Sequence, residues 1–259
     1  MSERALSFGA VAVAYERFRP GYPDELVDEV LAYARRPVRT ALEIGAGTGK
    51  ATRAFAARGI AVTATDPDPA MLAELRKHVP RTVSTRQAAF EDLPLTSTYD
   101  LVFAAAALHW TDPVHRWARV SALLAPDGVF ASFAGSLRFD DVAVSDAVRA
   151  ARGSALPEDG VPSPDRTPED SPMQWPGTEL SRCERFIDIR QVSIGRRMVL
   201  SAQEYLGHLS TISAYRQLPV PARERVLDRV RDALPAQVTL NADLTLHLAR
   251  AVDPAAAPR

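Results

Sequence analysis

From residue 38 to 135 short apolar runs alternate with stretches in which apolar residues recur every three or four positions. VRTALEI (38–44), GIAVTAT (59–65), TVSTRQA (82–88), YDLVFAAA (99–106) and GVFASFA (128–134) predict strands. KATRAFAAR (50–58), PAMLAELRKH (69–78) and DPVHRWARVSALL (112–124) between them predict helices. That order implies an α/β fold with a parallel sheet covered by helices on both faces, whose ligands sit at the carboxyl ends of the strands. Further on, ERFIDIRQVSI (184–194) predicts a strand, SAQEYLGHLSTISAYRQL (201–218) and PARERVLDRVRDAL (221–234) predict helices, and QVTLNADLTLHLA (237–249) predicts one long alternating strand. Near the start Phe8, Val11, Ala12 and Tyr15 share one helix face, which favours a helix over a secretory leader for ALSFGAVAVA (5–14).

Residues 154–178 break the rhythm with six prolines in 25 residues. Two readings stand: a disordered surface insertion, or a mobile lid tipped by Met173, Gln174 and Trp175. The tail AVDPAAAPR is expected to fray.

Composition narrows the partners. The 259 residues carry 31 basic and 32 acidic side chains, so no bulk field points to nucleic acid or a membrane surface. No apolar run approaches the roughly 20 residues of a membrane span. The single cysteine, Cys183, excludes an internal disulfide framework and fits a reducing compartment, so the expected location is the cytoplasm.

The candidate chemistry begins at ALEIGAGTGK, a strand running into a glycine turn. A dinucleotide loop needs G-x-G-x-x-G, but Gly45, Gly47 and Gly49 give G-x-G-x-G with Lys50 in sixth place. A triphosphate loop needs glycine where Ile44 stands and a hydroxyl where Ala51 stands. Glu43, two residues before the first glycine, is an awkward neighbour for pyrophosphate and a good acceptor for an ammonium group. Asp66 follows the second strand directly and is placed for both hydroxyls of a ribose; the alternative is a helix cap before Pro67.

ALEIGAGTGKAT, TATDPDPAML, QAAFEDLPLTSTYDLVFAAAALHW and ALLAPDGVF together resemble the successive motifs of class I S-adenosylmethionine-dependent methyltransferases, in order over residues 40–131. AVAYERFRPGYPDEL, ALHW and LSTISAYRQLP resemble a narrower group, the trans-aconitate-methyltransferase-like small-molecule enzymes. The resemblance implies a Rossmann-like, mostly parallel seven-stranded sheet sandwiched by helices, with a C-terminal antiparallel strand and helical insertions. Within one such domain, residues 1–36 would form a helical cap over the cofactor and 37–135 the cofactor-binding core. Residues 136–183 would be the proline-rich insertion or lid, and 184–250 the closing strands and substrate-side helices.

By the same resemblance the cofactor is S-adenosylmethionine, its product S-adenosylhomocysteine, and no metal is required. Glu43, Gly45, Ala46, Gly47 and Gly49 would surround its amino-acid part and Asp66 its ribose. Met71 or Pro67 would cover one face of adenine, and Phe90 and Glu91 would border it. Many relatives carry an aspartate where this chain has Ala89 or Phe90, so an adenine-amino contact would fall to Glu91 or a backbone carbonyl. Ala105 would lie at the cofactor's edge. Tyr15 and Arg19 would belong to a helix folding over the cofactor, Arg19 pairing with its carboxylate; core packing is the alternative for Tyr15.

Methyl transfer from a sulfonium needs alignment above all, and a base only for a protonated acceptor. His109, just past the fourth strand, is the candidate base, with structural support of the loop as the other reading. Trp110 walls the acceptor pocket or fills core. Thr211, Ser213, Tyr215 and Arg216 are candidate lining, Arg216 suiting an anion or else an exposed ion pair. His115 is expected at the surface or in packing, and His78, His208 and His247 show no metal-ligand spacing. Ala104, Ala105 and Ala106 stand where base-amine methyltransferases carry an Asn/Asp-Pro-Pro-aromatic turn, and Asp112 has no neighbouring carboxylates for a catechol-type metal. A small organic acceptor remains, with oxygen favoured, handled by a monomer or homodimer. The competing expectation is a non-methylating protein on the same fold, a cyclase or a cofactor-binding module.

Overall fold

The computed structural model describes residues 9–156, 163–168 and 170–252. The expectations for Phe8, for residues 5–8 of ALSFGAVAVA and for the tail beyond 252 lie outside the described residues. So does part of the proline-rich stretch, residues 157–162 and 169.

The elements begin with α1 (Ala12–Phe18), α2 (Asp24–Ala34), β1 (Thr40–Ile44), α3 (Lys50–Ala56), β2 (Ala61–Asp66), α4 (Pro69–Leu75) and β3 (Ser84–Gln87). There follow β4 (Tyr99–Ala105), α5 (Arg116–Leu123), β5 (Leu124–Ala134), β6 (Arg138–Phe139), α6 (Val142–Arg152), α7 (Gly177–Leu180), β7 (Phe186–Ile194) and β8 (Arg197–Ser201). The chain closes with α8 (Ala202–Ser210), α9 (Ser213–Gln217), α10 (Val220–Ala233), β9 (Gln237–Asn241) and β10 (Leu244–Ala251).

Seven strands form one sheet in the order β3-β2-β1-β4-β5-β10-β7. The first five are parallel, and β10 runs antiparallel to both its neighbours. This is the Rossmann-like arrangement with a late antiparallel strand that the motifs imply. Alternation along the strands divides the core between two faces. Ala41, Leu101, Phe103 and Phe133 meet α2 and α3 through Leu26, Val30 and Phe55, with the Phe55 and Phe103 rings 4.3 Å apart. Leu42, Ile44, Val102 and Phe130 meet α5 and α7 through Val120, Leu123 and Leu180 on the other face. The helix of residues 24–34 packs on the large sheet as a core layer.

The predicted long strand is two strands in two sheets. Asn241 Oδ1 accepts the Asp243 N–H at 3.0 Å and Asn241 Nδ2 donates to Asp243 Oδ2 at 2.9 Å. This Asx turn ends β9, and β10 re-enters the large sheet. A second, antiparallel sheet, β6-β9-β8, holds α6, α8, α9 and α10 through Val148, Tyr205, Leu209, Tyr215, Val226 and Val230. Met173–Trp175 form no projecting tip. The Gln174 N–H donates to Gln191 Oε1 at 2.6 Å, Met173 lies against Gly177, and Trp175 packs beside Leu180 and Phe186. Among the described residues no helix is long and apolar enough to cross a membrane.

Candidate functional site

The carboxyl ends of β1, β2 and β4 converge on the glycine turn. Gly45, Gly47 and Gly49 all have positive φ, at 66°, 54° and 84°, a conformation that side-chain-bearing residues adopt at a cost. A Cβ on Gly45 would stand 2.6 Å from that of Ala107, so the turn rests directly on the segment after β4. A Cβ on Gly47 would meet nothing within 4 Å, so there the backbone faces open space. The Ala46 N–H donates to the Thr65 carbonyl at 2.8 Å, tying the turn to β2.

Asp66 and Glu43 are both buried here. Asp66 Oδ2 accepts the Gly47 N–H and Oδ1 the Asp68 N–H, each at 2.9 Å. Asp66 is therefore no helix cap; Asp68 takes that role, accepting the Ala70 and Met71 N–H groups at the start of α4. Glu43 Oε2 accepts the Thr52 hydroxyl at 2.5 Å. Burial pushes the Glu43 carboxyl up to about 8, against the Thr52 hydrogen bond, with Asp66 adding to the rise. Burial lifts Asp66 to about 6 against its two backbone hydrogen bonds. Two carboxyls raised in this way are sites where an arriving cation gains what solvent has withheld.

Around them lie apolar walls. Met71 and Phe90 are buried, and Pro67 and Glu91 half-buried. Glu91 Oε1 accepts the Asp112 N–H at 2.7 Å, joining the turn after β3 to the turn after β4. Ala105 ends β4, and Ala106 holds φ at 52°, a positive value rare for a residue bearing Cβ. That kink turns the chain into the 3-10 segment Leu108–Trp110, where the His109 and Trp110 rings lie 4.6 Å apart. Arg116, almost wholly buried, steadies the segment. It donates to Thr111 Oγ1 at 2.7 Å, to the Thr111 carbonyl at 2.9 Å and to Glu179 Oε2 at 3.0 Å.

The substrate-side candidates divide. Thr211 is completely buried, and its Oγ1 and carbonyl accept Arg19 Nε at 2.9 Å and Nη2 at 3.3 Å. Thr211 is thus the anchor of Arg19 rather than open lining, because two helices close on it. Tyr215 is buried among Tyr205, Val226 and Val230, in the core of the small sheet rather than at a pocket wall. Arg216 and Trp110 are half-buried. The Arg19 guanidinium also lies 5.2 Å from the Tyr15 ring centroid, which keeps these two α1-side candidates together.

Sequence reasoning missed several neighbours. Tyr22 packs edge-on to Phe133 at 4.9 Å. Burial raises its phenol above the ordinary value, and Tyr15, Glu43 and Arg19 all act on it electrostatically. Thr52 carried a signal, a hydroxyl in the first turns of the helix that follows the glycines; Tyr22 carried none. The remaining histidines lie elsewhere. His115 is exposed, His78 bonds Glu74, and burial lowers His208 to about 3 and His247 to about 4. Among the described residues no group of three or more His, Cys, Asp or Glu could hold a metal ion.

Residues 42–132 match the family described as a methyltransferase domain. The chain is 33% identical over 239 residues to an uncharacterized methyltransferase of Mycobacterium tuberculosis, covering 92% of this chain and 89% of that protein. A probable S-adenosylmethionine-dependent methyltransferase of Saccharomyces cerevisiae is 32% identical over 124 residues, 45% of this chain and 43% of its own. A solved structure from Anaeromyxobacter dehalogenans, named as a type II methyltransferase, superposes with a TM-score of 0.60 and 26% identity, covering 90% of this chain and 97% of that one.

Proposed function

The chain belongs to the class I S-adenosylmethionine-dependent methyltransferases, and from that premise we propose that it methylates an oxygen of a small organic acceptor, leaving S-adenosylhomocysteine. The observation that supports the cofactor's seat is the arrangement of Glu43 and Asp66, two buried carboxyls on either side of a glycine backbone open at Gly47. Donors and shape fit the group. Glu43 would take the ammonium of the amino-acid arm, with Gly45, Ala46 and Gly49 shaping the turn beneath it. Asp66 keeps lone pairs for the ribose hydroxyls beyond the two N–H groups it already accepts. Met71 and Phe90 would enclose adenine, with Pro67 and Glu91 at its edge and Ala105 beside the sulfur. Arg19, standing over Tyr15, would face the cofactor's carboxylate.

When bound, the cofactor supplies an electrophilic methyl on a sulfonium whose sulfur keeps the bonding electron pair. The protein's work is then positioning, which in well-oriented systems is worth about 7 kcal/mol of barrier or more. The His109–Trp110 turn borders the same strand ends through the Gly45–Ala107 contact. Trp110 would wall the acceptor, Arg216 would attract an anionic one, and His109 would take the proton from a hydroxyl acceptor. A carboxylate acceptor would need no base. Three alanines at Ala104–Ala106 leave no side chain there to grip a nucleobase amine, which supports a small-molecule acceptor.

The test is incubation with methyl-labelled cofactor and a panel of small carboxylates, phenols and amines. Label should appear in an oxygen acceptor. Transfer only to amines would overturn the oxygen assignment, and full turnover by His109→Ala on a hydroxyl acceptor would remove the base.

A further inference from the structure

Lys50, the residue that fits no phosphate loop, is used in another way. Its Nζ donates to the Glu16 carbonyl at 2.7 Å and lies 3.6 Å from Glu16 Oε1. Arg53, one helical turn later, donates to the same Oε1 at 2.9 Å. The Lys50 and Glu16 side chains are only 12% and 16% exposed, so this is no freely solvated surface pair. Burial opposes the Glu16 charge, yet the Arg53 hydrogen bond and the Lys50 charge hold its carboxyl below the usual range.

The rest of the α1 region is fastened on the other sides of the crevice. Gly9 N–H donates to Asp68 Oδ2 at 2.7 Å, at the start of α4. Arg19 is bonded to Thr211, and the Phe18 ring lies directly on Gly207 of α8. The α1 region is therefore held to Lys50 and Arg53 of α3, to Asp68 beside α4, and to Thr211 and Gly207 on the small sheet's helices. Of these anchors only the Glu16 cluster joins α1 to the glycine-turn helix by charge.

We propose that Lys50 and Arg53 are positioning residues which, through Glu16, latch α1 across the cofactor crevice and thereby set the rate at which cofactor leaves. This rests on the cofactor reading above. Arg19 and Tyr15 ride on or next to α1, so releasing the latch carries them away from the crevice. The latch is ionic and largely buried, so salt screens it less than it would a surface pair.

The experiment is stopped-flow release of S-adenosylhomocysteine from the full chain, paired with hydrogen exchange of amides 12–19 in the ligand-free protein. Glu16→Gln and Lys50→Met should release the ligand roughly five- to tenfold faster and exchange faster in α1, with a small fall in the urea midpoint but a cooperative transition retained. Lys50→Arg should keep the wild-type rate. Release within twofold of wild type in both disrupting variants, or unaltered exchange in α1, would overturn the latch alone. A wild-type protein that binds no S-adenosylhomocysteine would overturn the cofactor reading and the latch with it.

Discussion

Burial raises Glu43 to about 8 and Asp66 to about 6, so between these values and the ordinary carboxylate range the ligand-free fold holds protons that an unfolded chain has released. The sign follows from linkage: ligand-free stability falls as pH rises from about 4.5 through 8, because the native state must give up those protons. A cation bound beside the pair favours the ionised forms and expels the protons. Affinity for S-adenosylmethionine should therefore rise about tenfold between pH 6 and 7.5 in calorimetric titrations. Glu43→Gln should flatten that profile, and a flat wild-type profile would contradict the placement of Glu43. Glu43 and Asp66 were legible because both stand at the carboxyl ends of strands, β1 and β2, at set distances from the glycines. Thr211 and Tyr215 are buried, which the residue pattern around two short helices does not reveal.

At the scale of elements, Arg116 joins the turn after β4 to α7. Removing one partner of a buried ion pair strands the other, at a cost of about 3 kcal/mol. Arg116→Met should lower the urea unfolding energy by about that much, a smaller loss being expected only to the extent that Glu179 reaches water. A change below about 0.5 kcal/mol would show the pair to be incidental. The corner between β9 and β10 makes a second case. Asp243 Oδ1 accepts the Arg196 N–H at 2.7 Å and Oδ2 pairs with Asn241. Asp243→Ala should cost about 2 kcal/mol in the same measurement, and no loss would show that backbone geometry alone makes the corner. Periodicity cannot see this corner. Apolar and polar residues alternate straight through QVTLNADLTLHLA, and only the Asn-Ala-Asp turn chemistry divides it. Proline content likewise marked residues 154–178 as irregular but could not reveal that Trp175 anchors its far end in the core.

For the whole molecule, the five parallel strands and three of their helices were legible because each strand–helix repeat buries its own apolar face. The small antiparallel sheet was not, since β6 has two residues and β8 five, too few to show a period. Ligand linkage acts on the entire fold. S-adenosylhomocysteine at about one hundred times its Kd should stabilise the protein by about 2.7 kcal/mol, raising Tm by roughly 5–10 °C, and NAD at the same concentration should leave Tm unchanged. A shift produced by NAD alone would reverse the cofactor assignment. If paired acids around a glycine turn seat a cationic nucleoside, calorimetric titration of S-adenosylmethionine into wild type and Asp66→Ala must distinguish the two proteins. Wild type should show one site, and the variant an affinity at least tenfold weaker, equivalent to about 1.4 kcal/mol or more. Equal affinity in the two proteins would contradict that seating.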